Sequence, residues 1–300
     1  MRISTSLKYE IGASQINKLQ AKQLHLYEQT ATGLRVVRPG DDPLAASQAV
    51  TVSQSLAANS RFESNRAVAS SNLGMADTAV QNSVDVLEAI KGRLVQAGNG
   101  SYSASEMQAL GAELKSSYAA LLTQANATDG NGSYLFSGNQ GDTAPYAVDS
   151  DGWITGSYQG DAGQRLVQVD QTRQISTSNT ADELYGDVFD DLRSVIEALE
   201  TYDADDAEGF ATVLTNAQDS VSGTFDTLVT IGASIGARMN EVSALDAIGS
   251  SRSLSYSSQL DDLVGLDEAS AYSLVSYYQV ALQASTLAFQ KIQAMNLFNS

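Results

Sequence analysis

Residues 73–94 read LGMADTAVQNSVDVLEAIKGRL, and within them Leu73, Ala76, Val80, Ser83, Leu87, Ile90 and Leu94 recur at alternating steps of three and four. That spacing is the seam of a coiled coil, a narrow stripe that another helix must cover. A second run, Met107, Leu110, Leu114, Ser117 and Leu121, repeats the pattern after Gly98-Asn99-Gly100-Ser101. The two glycines stop the first helix, and Ser105 is placed to cap the next. Proline occurs only at Pro39, Pro43 and Pro145. Because proline interrupts helix interiors, both flanks of the chain are free to form long helices.

Toward the C-terminus the helical signal resumes after Gly186, with Val188, Leu192, Val195, Ile196 and Leu199 on one face. Beyond the acidic turn Asp203-Ala204-Asp205-Asp206, Val213, Leu214, Ala217, Val221, Phe225 and Leu228 mark another helix that runs to about Leu245. The last segment carries a stripe of Ala271, Leu274, Val275, Tyr278, Ala281, Leu282, Ser285, Ala288, Phe289, Ile292 and Met295. From Ala269 to Ser300 only Lys291 is charged. A helix so poor in charge needs a partner surface. The first forty residues mirror it weakly through Ile16, Leu19, Leu24, Leu26 and Ala31. Both ends are therefore expected to be helical but unstable in isolation, ordering on meeting neighbours. The residues expected at the assembly interface are Ile16, Leu19, Leu274, Val275, Tyr278, Leu282, Phe289 and Ile292.

The middle differs. From Gly130 to Asp182 glycine is dense, and Tyr134-Leu135-Phe136, Trp153-Ile154-Thr155 and Leu166-Val167-Gln168-Val169 read as short strands. Asp151-Gly152 and Asp161-Ala162-Gly163 fall where hairpins would turn. A unit this small is expected to lean on its neighbours for a core. The fold class is thus mainly α: a long antiparallel helical bundle or coiled coil built from the N- and C-terminal regions, with a small inserted β-rich domain. The expected divisions are an N-terminal assembly helix at 1–43, rod halves at 44–135 and 183–255, a β-rich outer domain at 136–182, and a C-terminal assembly helix at 256–300.

Composition narrows the function. There is no cysteine, so disulfides and thiolate metal sites are excluded. No run of 18 apolar residues exists, which argues against a membrane span. The opening MRISTSLKYEIG lacks the apolar core of a cleaved leader. That fits a cytoplasmic protein, or one exported by a route that leaves no cleaved signal. The net charge of −18 is uneven: residues 1–130 balance 11 basic against 11 acidic groups, whereas 131–300 carry 6 against 24. Such an acidic surface repels phosphate backbones and argues against nucleic acid as a partner.

Catalytic chemistry finds little support. The only histidine is His25, in a Gln/Lys-rich helix, and without cysteine no His–Cys pair or zinc set can form. The acidic run from Asp203 through Asp205, Asp206 and Glu208 fails as a calcium loop. Counted from Asp203, the positions needing glycine and a bidentate glutamate hold Glu208 and Leu214. Asp149 and Asp151 before Gly152 lack a distal ligand set, and no glycine-rich phosphate motif is present. No cofactor, no metal and no enzyme activity are expected.

Several stretches resemble the hook–filament junction family of the bacterial flagellum (FlgL-type, relatives of flagellin). They are Met1-Arg2-Ile3-Ser4-Thr5, the run Thr32-Gly33-Leu34-Arg35-Val36-Val37-Arg38-Pro39-Gly40-Asp41-Asp42-Pro43 with Leu44–Ala49, the run Asp129–Gly138, and Ala281–Ser285 through Leu297-Phe298. The second has a physical reading as well. Gly33 ends a helix, and Asp41 or Asp42 caps a new one with Pro43 in its first turn. Pro43 separates the chain from flagellin, whose matching segment usually carries alanine. The resemblance implies a secreted, extracellular structural subunit at the hook–filament junction. Its implied partners are neighbouring copies of itself, the other hook-associated junction protein, flagellin, and a cytoplasmic export chaperone that holds the C-terminal segment. A minor flagellin, or a secreted acidic coiled-coil adhesin or effector, is the alternative; the adhesin would need a long, independent binding domain.

Overall fold

In the computed structural model the described residues are 5–99, 102–202 and 207–297. Met1–Ser4, Gly100, Ser101, the acidic turn Asp203–Asp206 and Phe298 lie outside them, as does the side chain of Met295. The described chain is mainly helical: α1 Thr5–Thr32, α2 Pro43–Ala97, α3 Ala104–Ala125, α4 Ala181–Tyr185, α5 Val188–Glu200, α6 Ala207–Val264 and α7 Glu268–Leu297. Among the described residues a single two-stranded antiparallel sheet joins β1 Leu166–Asp170 to β2 Arg173–Ser176. The chain divides into two compact units, residues 61–249 and residues 1–60 with 250–300.

The 61–249 unit is built on the seam. All seven residues from Leu73 to Leu94 are buried, because alternating three- and four-residue steps return each to the same side of a helix. The covering partner is α6, whose Leu214, Ala217, Val221, Thr224, Leu228, Ile231 and Ile235 follow the same steps and are also buried. The two run antiparallel in strict register: Gly98 lies beside Leu214, Gln218 Nε2 donates to Leu94 O (3.2 Å), Gly232 faces Val80, and Arg66 bonds Asp246. Ser83, the one polar seam residue predicted there, is buried and shares a 2.7 Å hydrogen bond with Tyr185 Oη.

The α3 run needs two corrections. Its N-cap is Ser103, not Ser105: Ser103 N and Oγ both donate to Oε2 of Glu106 (2.7 Å each), the glutamate arm of a capping box. The buried position is Tyr118 rather than Ser117, because α3 packs against α5 and presents a broader face than a two-helix seam. Those bonds hold the Glu106 carboxyl below its ordinary range. Ser103→Ala should lower stability by about 1 kcal/mol, seen as a shifted urea midpoint with an unchanged slope.

The expected faces of α5 and α6 are observed, but α6 runs on to Val264, well past Leu245. The short α4 was not anticipated. Thr180 caps it by accepting from Glu183 N (3.3 Å), so the pattern Thr-x-x-Glu could have revealed it.

The glycine-rich segment carries less strand than its sequence suggests. Tyr134–Phe136 and Trp153–Thr155 make only isolated bridges, Thr128 with Tyr134 and Val148 with Ile154, and the neighbouring Ser137 makes another with Thr180. The ladder's turn falls at Gln171-Thr172, not at Asp161–Gly163. Asp161 instead knots the chain, its Oδ1 accepting from Asn139 N (2.7 Å) and Gly163 N (3.0 Å). Asp151-Gly152 does turn a hairpin, and the loop repeats one found earlier in the chain. Asp129 Oδ1 accepts from Asn131 N and Ser133 N, as Asp149 Oδ1 accepts from Asp151 N and Trp153 N. Gly132 and Gly152 both sit at φ 85°, a conformation glycine adopts without strain. These N–H donors, led by Trp153 N–H, hold the Asp149 carboxyl below its ordinary range.

The segment shares one core with the helices. Trp153 packs edge-on to Tyr118 (5.0 Å), and Phe189 touches Tyr118, Tyr146 and Tyr185 at 5.2–5.5 Å. Lys115 and Arg193 lie over the Trp153 ring at 4.7 and 5.3 Å. Burial pushes the Tyr146 and Tyr185 phenols up, and Tyr158 up to about 12. They are therefore neutral packing groups.

Candidate assembly surface

The other unit contains α1 and α7, which pack together antiparallel. The Tyr9 ring lies 4.9 Å from Phe289, and Gln279 Nε2 donates to Tyr27 Oη (2.9 Å). Gly12 leaves room for Phe289, since a Cβ there would stand 2.8 Å from the ring. Ile16, Leu19 and Leu26 follow Gly12 along α1 at steps of four, three and seven; the first two are half-buried and Leu26 is buried.

The end of the pair is fixed by the segment between α1 and α2. Gly33 ends α1 at φ 69°, and Leu34 forms an antiparallel bridge with Gly265. Arg35 N donates to Val264 O (2.8 Å), Leu266 N to Gly33 O (3.1 Å) and Arg35 Nη2 to Leu263 O (2.6 Å). The two candidate capping aspartates divide the work. Asp42 Oδ1 accepts from Ala45 N (3.1 Å) in the first turn of α2, whereas Asp41 Oδ2 accepts from Val37 N and Arg38 N. The Ala45 N–H, then the Arg35 guanidinium, hold the Asp42 carboxyl below its ordinary range. Arg38 grips both Glu28 oxygens at 2.7 and 2.9 Å, and His25 lies 3.7 Å from Asp41 and 4.0 Å from Glu28. The sole histidine thus joins a charged clasp on the α1–α2 turn.

The eight residues chosen from sequence fall into two groups. Val275, Tyr278, Leu282 and Phe289 are half-buried on the side of α7 that meets α1, as are Ile16 and Leu19 on α1. Leu274 and Ile292 are exposed. Sequence reasoning missed a second α7 stripe: Tyr277, Val280, Ala284 and Leu287, again at steps of three, four and three. The three large ones are 64 %, 66 % and 59 % exposed. Tyr272 is also exposed. Because apolar residues lie nearly all round α7, periodicity alone could not say which side α1 would take.

Among the described residues no group of His, Asp and Glu is arranged to hold a metal ion, and no helix is long and apolar enough to cross a membrane.

Comparison with known proteins gives a consistent result. Residues 3–141 match the bacterial flagellin N-terminal helical region. The chain is 33 % identical to flagellar hook-associated protein 3 of Escherichia coli K12 and 32 % identical to that of Salmonella typhimurium LT2. Each alignment covers 99 % of both chains. A putative flagellar hook-associated protein from Vibrio parahaemolyticus superposes with a TM-score of 0.68 at 22 % identity, over 75 % of this chain and 100 % of that one. FlgL of Xanthomonas campestris gives 0.63 at 17 %, over 70 % and 99 %. A helix pair with a coiled-coil seam, paired terminal helices and kinship over 99 % of the chain lead to one assignment: the chain belongs to the flagellar hook-associated protein 3 family, the structural proteins of the hook–filament junction of the bacterial flagellum.

Proposed function

We propose that this protein is an extracellular adaptor that polymerises through α1 and α7 and seats the first flagellin subunits on the other hook-associated junction protein. The reading rests above all on the apolar stripe Tyr277, Val280, Ala284 and Leu287 that α1 leaves uncovered. A repeating apolar face on a helix whose opposite side is already engaged calls for a further helix. Exposed Leu7, Ile11 and Leu24 of α1 give the pair a second apolar surface, as head-to-tail assembly that does not close on itself requires. Leu274 and Ile292 belong to this outward set, while Val275, Tyr278, Leu282 and Phe289, with Ile16 and Leu19, build the pair that presents it. Before export the same stripe is the natural target of a cytoplasmic chaperone. The role is structural, without catalysis or a cofactor.

The test is complementation. Expressed in a bacterium lacking its own junction protein, the chain should restore filaments that stay attached to the hook, as seen by electron microscopy. Filament protein shed into the medium despite normal export of this chain would refute the adaptor role.

A further inference from the structure

Among the described residues Arg66 is the only charged side chain that is fully buried, at 2 % exposure. It continues the α2 seam, three residues before Ala69 and seven before Leu73, at a position that elsewhere holds apolar residues. Burying a guanidinium there is costly unless its donors are met. Within the 61–249 unit two of its nitrogens find acceptors, Nη2 is buried without one, and a third feature is steric. Nε donates to Asp246 Oδ1 of α6 (2.9 Å), and Nη1 donates to Val169 O of β1 (3.1 Å). The third is a notch. Gly249 is the α6 seam residue beside the guanidinium, and a Cβ there would collide with Nη2 and Cζ and crowd Nη1.

The hairpin that Arg66 reaches is tied to both helices. Asn65 Nδ2 of α2 donates to Gln168 O (2.8 Å). From α6, Glu241 takes Arg173 of β2 through both oxygens, and Arg238 Nη1 donates to Ser176 O and to Asn179 Oδ1. Only one axial register of α6 against α2 serves this arrangement. A heptad repeat is nearly indifferent to a slip of seven residues. Such a slip would set Val242 or Tyr256 in place of Gly249, and Met239 or Ser253 in place of Asp246. In neither case would the guanidinium keep a carboxylate or a hole.

We propose that Arg66 and Gly249 form a lock, an arginine seated in a glycine notch, through which docking of the β1–β2 hairpin depends on the native register of α2 and α6. Gly249, although it belongs to α6, controls the hairpin because it admits the arginine that holds β1.

Hydrogen exchange of the hairpin amides in the full-length protein tests this. Arg66→Met should speed exchange across 166–176 by about tenfold or more, the scale set by losing hydrogen bonds to a charged group. Gly249→Ala should do the same. Added to Arg66→Met it should contribute less than about twofold, because the arginine it displaces is already gone. Arg66→Lys keeps the charge but lacks the second arm, so it should also free the hairpin while the amides of Leu87–Leu94 exchange as before. Full additivity of the two single effects would overturn the lock. So would a hairpin unaffected by Gly249→Ala, or one unaffected by Arg66→Lys.

Discussion

Filaments are expected to detach in cells whose junction protein carries Leu287→Asp, while the purified variant melts as the parent does. In the isolated chain Leu287 is mostly exposed, so a carboxylate there meets water and should change stability by no more than about 0.5 kcal/mol. On the proposed surface the same carboxylate would be buried against a neighbour without a partner, costing several kcal/mol at every contact. Since each 1.4 kcal/mol or so is tenfold in affinity, a repeating contact would not survive it. Leu282→Asp provides the contrast. Leu282 is half-buried on the α1-facing side, so its carboxylate should part α1 from α7 in the monomer as well, seen as lost helical signal before any assembly. The thermal transition of the 61–249 unit, which contains neither residue, should persist in both variants. Protein in the medium must be assayed alongside, because a chaperone that reads the same stripe would alter export. Attached filaments in cells exporting Leu287→Asp normally would place the stripe in solvent and end the proposal.

The largest effect on stability is expected from Phe189→Ala. Phe189 is 3 % exposed and touches three tyrosines, one of which, Tyr118, packs against Trp153. Truncating a buried phenylalanine removes its transfer free energy and leaves a cavity, together about 3–5 kcal/mol. For a unit of this size that lowers the midpoint by on the order of 10 °C. Loss of near-ultraviolet aromatic signal should accompany it, because the ring orders its neighbours. A midpoint lowered by less than about 2 °C would mean the cluster is not continuous core. The same reasoning bears on the segment 136–182. It supplies Phe136, Tyr146, Trp153, Val169 and Ile175 to the core shared with α3 and α5, so replacing it whole by a linker would strip that core.

Much of this was legible in the residues themselves. The positions from Leu73 to Leu94 are buried as their spacing requires, because helical periodicity is fixed by local backbone geometry and needs no knowledge of the partner. The stop at Gly33 and the start at Pro43 are local for the same reason. Other features depended on what lay opposite. Tyr134–Phe136 and Trp153–Thr155 alternate like strands, yet Leu135, Phe136 and Trp153 enter a core shared with α3 and α5, and with helices as neighbours no extended ladder forms. Tyr118 displaces Ser117 because α5 approaches α3 from one side. The two faces of α7 are alike in composition, and only the placement of α1 divides them into a covered stripe and an open one. Arg66, which reads as a flaw in the seam, becomes intelligible when Gly249 and Val169, far from it in sequence, close around the guanidinium. Periodicity is set within a single helix, whereas the choice between equivalent faces, and the seat of a buried charge, belong to contacts between segments distant in the chain.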